Sequence, residues 1–464
     1  MLERILPGRR SRALPLCLGL GMAMGLGSSP AHAAGLLDIY EMAKNNDPRY
    51  QEEFYGKEAT DERYYQARSA LLPQVSLTAS RTETSQDIVS SDNEEYASGS
   101  TSYPSTTYGA SIEQSIYDYS RWAAFDKAKL EIKQAASELE VARQDLFLRV
   151  AERYFDALSL RETLTYLQAE KESVETNLEQ VRARYEDGLA REVDFLDAQA
   201  RFQQVDAREI EVRNELRDAL EGLAEITGQR PTTLQPVTDQ LQLERPDPDS
   251  LEAWEELARE RSPRLKAARL SADVASQALK ESKGGHYPTL DLSLNYNSDD
   301  TEGSLFGGGS EVDTQEIAVS LNVPVYSGGR TSSNVREGQS LLEASRSRLE
   351  RVTRELNREV RAGYQGIITA ISRERSLEQS LEASKRVVES REVGVEAGTT
   401  PLLDLLDAER DLFYARSELA SARYDYLMSI LSLKHAAGVI NVDDLAQIDA
   451  MMGEQVDVLA MGQR

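Results

Sequence analysis

The chain has 464 residues with 79 acidic against 53 basic side chains, a formal charge of −26. So acidic a chain repels nucleic acid, and its lone cysteine, Cys17, sits in an apolar leader, which leaves no thiolate or disulfide chemistry in the rest. Beyond that leader no run of 18 apolar residues is present, so no transmembrane helix is available.

Residues 1–33 read as a secretory signal peptide. Arg4, Arg9, Arg10 and Arg12 precede the apolar run Ala13–Leu26, and Ala31-His32-Ala33 offers small residues for cleavage before Ala34. The rest of the chain is written twice. Pro48, Pro73, Tyr117, Arg121, Gly188, Asp194, Asp197 and Gly228 recur as Pro263, Pro288, Tyr326, Arg330, Gly398, Asp404, Asp407 and Gly438. A spacing of that size is too long for a solenoid, so the chain reads as two halves of one architecture.

The first repeat is expected over 34–228. Its opening helix leads to strands at about 74–86 and 104–118, where Val75, Leu77 and Ala79 alternate with Ser76, Thr78 and Ser80. Polar residues 85–102 read as a solvated loop between them. Long helices are then expected at about 119–187 and 191–228, meeting at Gly188. Residues 229–248, rich in Pro, Thr and Asp, form a linker.

The second repeat, 249–440, has strands at about 288–299 and 312–326. Ile317, Val319, Leu321, Val323 and Val325 mark one face of the latter, and 299–311 reads as the loop before it. Helices at about 330–397 and 401–438 meet at Gly398, with Gly363 and Gly366 as weak points. Each of the two longest helices, unbroken by proline, would extend roughly 100 Å at ~1.5 Å per residue. Their apolar positions step by three and four, as in coiled-coil packing. Residues 441–464 are expected to be a loosely ordered tail.

Few groups for catalysis are on offer. His286 and His435 are the only histidines after the leader and lie in different elements, and no metal cluster, nucleophile elbow or phosphate loop appears. No enzyme activity, cofactor or metal is expected. Four amphipathic strands pose a different problem. An open sheet edge is not tolerated in lipid, and single-chain barrels need about eight strands, so a membrane reading requires several chains. Two function classes remain: an oligomeric duct, or a soluble periplasmic coiled-coil scaffold.

The duplicated order, together with Ser115-Ile116-Tyr117-Asp118 before Arg121, Val325-Tyr326-Ser327-Gly328-Gly329-Arg330 and Asp404-Leu405-Leu406-Asp407-Ala408, resembles the outer-membrane efflux protein family. The resemblance implies an α+β membrane protein in which a homotrimer forms a 12-strand transmembrane β-barrel continued by a 12-helix periplasmic α-barrel. It implies a passive exit duct for multidrug efflux or type I secretion. Such a duct sits in outer-membrane lipid and is opened by a periplasmic adaptor and an inner-membrane pump of ABC, RND or MFS type.

By the same resemblance Tyr117, Arg121, Tyr326, Gly328, Gly329 and Arg330 mark strand-to-helix junctions. The turns with Asp187, Gly188 and Leu189, and with Ala397, Gly398 and Thr399, are the tips that meet the adaptor. Asp404 and Asp407 match acids that ring the periplasmic constriction. Asp411 extends their stripe, whereas Arg201 breaks the stripe begun by Asp194 and Asp197. The aromatic and arginine with which relatives latch the closed state are replaced here by Val395 and Thr400.

Overall fold

The same six elements fold in the same order in each half. The computed structural model describes residues 35–90, 99–238, 241–303, 308–454 and 456–458, so the expected signal peptide lies outside the described residues. The first half comprises α1 (Leu36–Asn46), α2 (Pro48–Ser69), β1 (Gln74–Ile88), β2 (Gly99–Tyr117), α3 (Tyr119–Glu186) and α4 (Glu192–Thr227). A two-residue strand, β3 (Thr233–Leu234), separates it from α5 (Leu251–Arg261), α6 (Pro263–Gly284), β4 (Thr289–Thr301), β5 (Ser310–Asn322), α7 (Arg330–Glu396) and α8 (Leu402–Ala437). Helix α9 (Val442–Asp449) and β6 (Val456–Asp457) complete the chain's described elements.

Proline sets the break between the two opening helices of each half. Asp47 and Ser262 accept the backbone N–H of Tyr50 (2.7 Å) and Leu265 (3.3 Å), and Pro48 and Pro263 take the first helical position. Helix α2 packs along the first part of α3, with Tyr64 against Phe125, and α4 packs along the second, with Lys171 of α3 bonded to Asp206. Helices α6 and α8 share α7 in the same way. The two shorter helices of each half, 22 and 36 residues, thus line a partner of 68 or 67. Gly228, closing α4, lies against Asn46, and Gly438, closing α8, lies against Ser262.

The main core fills the level of these breaks. Leu36, Ile39, Tyr40, Phe147, Tyr154 and Leu223 are buried there with Trp254, Leu356, Leu427 and Leu445. Tyr40 stacks on Phe147 at 4.2 Å between ring centroids. Residues 442–454 and 456–458 belong to this core, which corrects the expectation of a loose tail for that part; residues 455 and 459–464 lie outside the described residues. Leu445 and Ile448 of α9 are buried, β6 pairs with β3, and Asp449 accepts the N–H groups of Leu36 (2.7 Å) and Leu37 (3.0 Å). The expected linker likewise contributes β3 and the bridge from Val237 to Met452.

The four long strands form one antiparallel sheet in the order β1-β2-β4-β5. Opposed residues share a face, and the register aligns Val75 with Ile112, Ile112 with Leu294 and Leu294 with Ile317. Leu77, Leu292 and Val319 extend the same apolar face, which is open: Leu77 is 82% exposed and Ile317 74%. Along β4 this band runs from Leu290 to Tyr296, roughly 20 Å at ~3.3 Å per residue. Strands β1, β2 and β4 reach further into the polar segments than expected, to Ile88, from Gly99 and to Thr301. Strand β5 instead runs from Ser310 and stops at Asn322, so Val323 and Val325 lie outside it. Pro324, with no N–H to donate, cannot continue a ladder.

Candidate functional site

Both helical hairpins close with the same backbone geometry. Gly188 (φ +73°) and Gly398 (φ +70°) adopt the left-handed conformation. Leu189 N–H reaches back to the Arg184 carbonyl (2.7 Å), and Thr399 N–H to that of Gly394 (2.9 Å). These six-to-one bonds, with those of the glycines to Tyr185 and Val395, form a Schellman closure in each copy. The copies differ beside it. Thr400 packs on Gly394, where an added Cβ would come within 2.2 Å of its hydroxyl, while the first copy has Arg184 and Ala190 in those places.

Asp194 and Asp404 stand in the first turns of α4 and α8, where the helix dipole favours negative charge, and Asp197, Asp407 and Asp411 follow further along. Asp194 reaches back to Arg191, the residue before α4, accepting its backbone N–H at 3.2 Å and its guanidinium N–H groups at 2.7 and 3.1 Å. That guanidinium holds the Asp194 carboxyl below the usual carboxylate range. Asp197 is exposed and has no ion-pair partner among the described residues.

In the second copy each acid of the stripe is paired with an arginine. Asp404 accepts a hydrogen bond from Arg391 of α7 at 3.1 Å, Asp407 from Arg201 of α4, and Asp411 from Arg410 at 3.0 Å. Burial pushes the nearby Glu170 carboxyl upward against the opposing pull of Arg201 and Arg410. Arg201 therefore joins the two halves. It occupies the first-copy place of Asp411, and this swap of sign between matched positions is the signal from which the contact can be read. Glu170, Arg191 and Arg391 carry no comparable mark in the sequence.

A groove of about 310 Å³ lies between the two tips, lined by Leu189, Asp194, Asp197, Pro401, Leu403 and Leu406. The structure thus gathers Asp194 and Asp197 with one tip turn of each copy at one end of the molecule. It places the junction residues at the other. There Asp118 caps α3 by accepting the Arg121 N–H at 3.2 Å, and the Arg121 guanidinium donates to the Ala70 carbonyl at 3.0 Å. Gly328 (φ +63°) and Gly329 (φ +83°) turn the chain from β5 into α7, beside an exposed Tyr326. Tyr117 ends β2, paired with Leu290, and Arg330 is exposed at the start of α7.

Among the described residues no group of His, Cys, Asp and Glu could hold a metal ion. No described helix is long and apolar enough to cross a membrane. The sheet carries exposed apolar side chains, among them Leu77, Ile317 and Val319.

The profile of a family described as outer membrane efflux protein matches residues 39–229 and 254–439. The chain is 34% identical over 437 residues to the outer membrane protein TolC of Vibrio cholerae, covering 94% of this chain and 98% of that one. It is 28% identical over 422 residues to the alkaline protease secretion protein AprF of Pseudomonas aeruginosa, covering 90% and 88%. The fold resembles the Campylobacter jejuni CmeC outer membrane channel, with a TM-score of 0.76, 16% identity and 90% of each chain covered.

Proposed function

Because the chain belongs to the outer membrane efflux protein family, we infer that it is an outer-membrane exit duct serving efflux or type I secretion. The observation that carries this reading is the four-stranded sheet, which has an exposed apolar face and two unpaired edges and stands on helices of roughly 100 Å. A soluble scaffold gains nothing from such a sheet, since an open apolar edge invites aggregation. Three copies joined edge to edge would close twelve strands into a barrel in the outer membrane. Below it, twelve helices would form the periplasmic tube. The pump supplies energy and selects cargo, so the duct itself needs no catalytic group.

In this reading the tips carry the gate and the docking site. Asp404, Asp407 and Asp411, with Asp194 and Asp197, line the periplasmic constriction, and three copies of each concentrate cations there. The paired arginines temper that field and fasten the helices around the tips. The turns at Asp187–Leu189 and Ala397–Thr399 present equivalent surfaces to a periplasmic adaptor. The duct would therefore work with that adaptor and an inner-membrane transporter.

Fractionation tests the placement: the protein pellets with outer membranes and needs detergent for release, whereas recovery from the soluble periplasm would sink the duct. Planar-bilayer recording tests the gate. Asp404→Asn with Asp407→Asn is expected to weaken block by multivalent cations at least tenfold. Unchanged block would leave these carboxylates with helix capping and ion pairing alone.

A further inference from the structure

The four helix ends adjoining the sheet carry charge opposite to the molecule as a whole. The last seven residues of α2 and α6 and the first seven of α3 and α7 hold seven basic side chains and one acid, Glu281, in a chain of net charge −26. Beyond them, segments 74–117 and 289–322 hold thirteen acids and a single base, Arg81. The sign changes abruptly at the edge of the apolar band.

Local structure does not account for this belt. Arg121 is engaged by Asp118 at 3.3 Å, and Arg63 lies 3.9 Å from Glu131. Arg68, Lys280, Lys283, Arg330 and Arg336 are exposed and have no ion-pair partner among the described residues. At the C-terminal ends of α2 and α6 a cation complements the helix dipole. At the first position of α7 it opposes the dipole, so Arg330 stands there for another reason, and Arg336 lies beyond the dipole's reach. Aromatic side chains share the level: Tyr65, Trp122 and Tyr326 are exposed, the last at 87%. Rings with a polar edge and long cationic side chains beside an apolar band have the composition of a membrane–water interface.

We propose that these helix ends form a collar that binds the headgroups of anionic phospholipids in the leaflet facing the helices. The proposal rests on the outer-membrane reading and adds a lipid selectivity to it. The acidic hairpins repel such headgroups on the opposite side, so the collar also fixes which way the sheet stands in the bilayer. Attraction of each unpaired cation to an anionic surface corresponds to about fivefold in lipid partition at low salt. It is screened within a few ångström at high salt.

The protein carries its own reporter. Trp122 is 51% exposed in the collar, whereas Trp254, the other tryptophan, is 4% exposed and bonded to the Pro248 carbonyl. The folded oligomer is reconstituted in bilayers of brominated phosphatidylglycerol or brominated phosphatidylcholine, and quenching of Trp122 gives their relative binding constants. Phosphatidylglycerol is expected to bind at least fivefold more strongly at 50 mM salt, with the preference falling toward unity at 0.5 M. Replacing Arg68, Lys280, Lys283, Arg330 and Arg336 with Gln should abolish the preference while Trp122 remains quenched by both lipids. Equal binding of the two lipids to the unaltered protein, or a preference that survives the substitutions, overturns the collar. Absence of quenching by either lipid overturns both the collar and the membrane placement beneath it.

Discussion

Single side chains tie the duplicated halves and hairpins together. Arg201 and Asp411 occupy matched positions of the repeat, and the base at the first of them lets α4 of one half grip α8 of the other through Asp407. Glu209 performs the equivalent task within the first hairpin. It is 4% exposed, accepts Lys171 of α3 at 2.8 Å, and is held by Arg213 of its own helix. Burial acts to raise its carboxyl, but Lys171, Gln168 and Arg213 outweigh that and leave it below the ordinary value of about 4.5. A depressed folded-state value contributes stability above the unfolded value and loses it as pH falls through the folded one. Glu209→Gln is therefore expected to cost about 1.5–3 kcal/mol at neutral pH, the range for a hydrogen bond to a charged group. The gap between variant and parent should close as pH falls through the depressed folded-state value. Thermal midpoints in detergent across pH 3–8 check this, and a gap independent of pH would show that packing, not charge, holds Glu209.

At the level of elements, the glycines of α7 show how helix approach overrides local preference. Glycine weakens a helix interior by about 0.5–1 kcal/mol relative to alanine. Yet α7 runs unbroken through Gly363 and Gly366. An added Cβ at Gly363 would lie 3.0 Å from the Leu433 Cα of α8, whereas at Gly366 the nearest atom, Ser429 Oγ, is 3.4 Å away. Gly366→Ala is thus expected to stabilise by about 0.5–1 kcal/mol, and Gly363→Val to destabilise by about 1–3 kcal/mol through overpacking. Paired denaturation curves distinguish the two; stabilisation by both would mean that α7 and α8 can separate freely at this level, and destabilisation by both that the close approach extends to Gly366.

The same contrast marks how far the sequence is legible. Strands announce themselves through alternation, as in Val75, Leu77 and Ala79, and helix ends through Gly188 and Gly398, because these signals are local. The order of the C-terminal segment depends on partners elsewhere: β6 needs β3, and Asp449 serves α1 across more than 400 residues. Eight residues of α9 show too few turns for a period to emerge. At the candidate site the acids and tip glycines are legible by repeat comparison. Their arginine partners depend on which helices meet, and only the sign swap at Arg201 and Asp411 reports that.

At the scale of the whole molecule the sheet decides the assembly. Strands β1 and β5 are its two edges, about 14 Å apart across three inter-strand spacings. In a chain with Cys17→Ser, Leu77→Cys and Val319→Cys introduce the only thiols. In the proposed trimer β1 of one chain meets β5 of the next, so a cross-linker shorter than about 10 Å should yield covalent dimers and trimers on a denaturing gel. Monomers alone would exclude edge-to-edge closure. The join between β2 and β4 has a further consequence. It is the seam between the two repeats, made within one chain, whereas a ring of single repeats would make every such seam by collision. Fusion thus halves the number of independent bodies: formation of the closed ring from free chains scales with the third power of their concentration instead of the sixth. In the proposed trimer that reduction matters most when the copies are few.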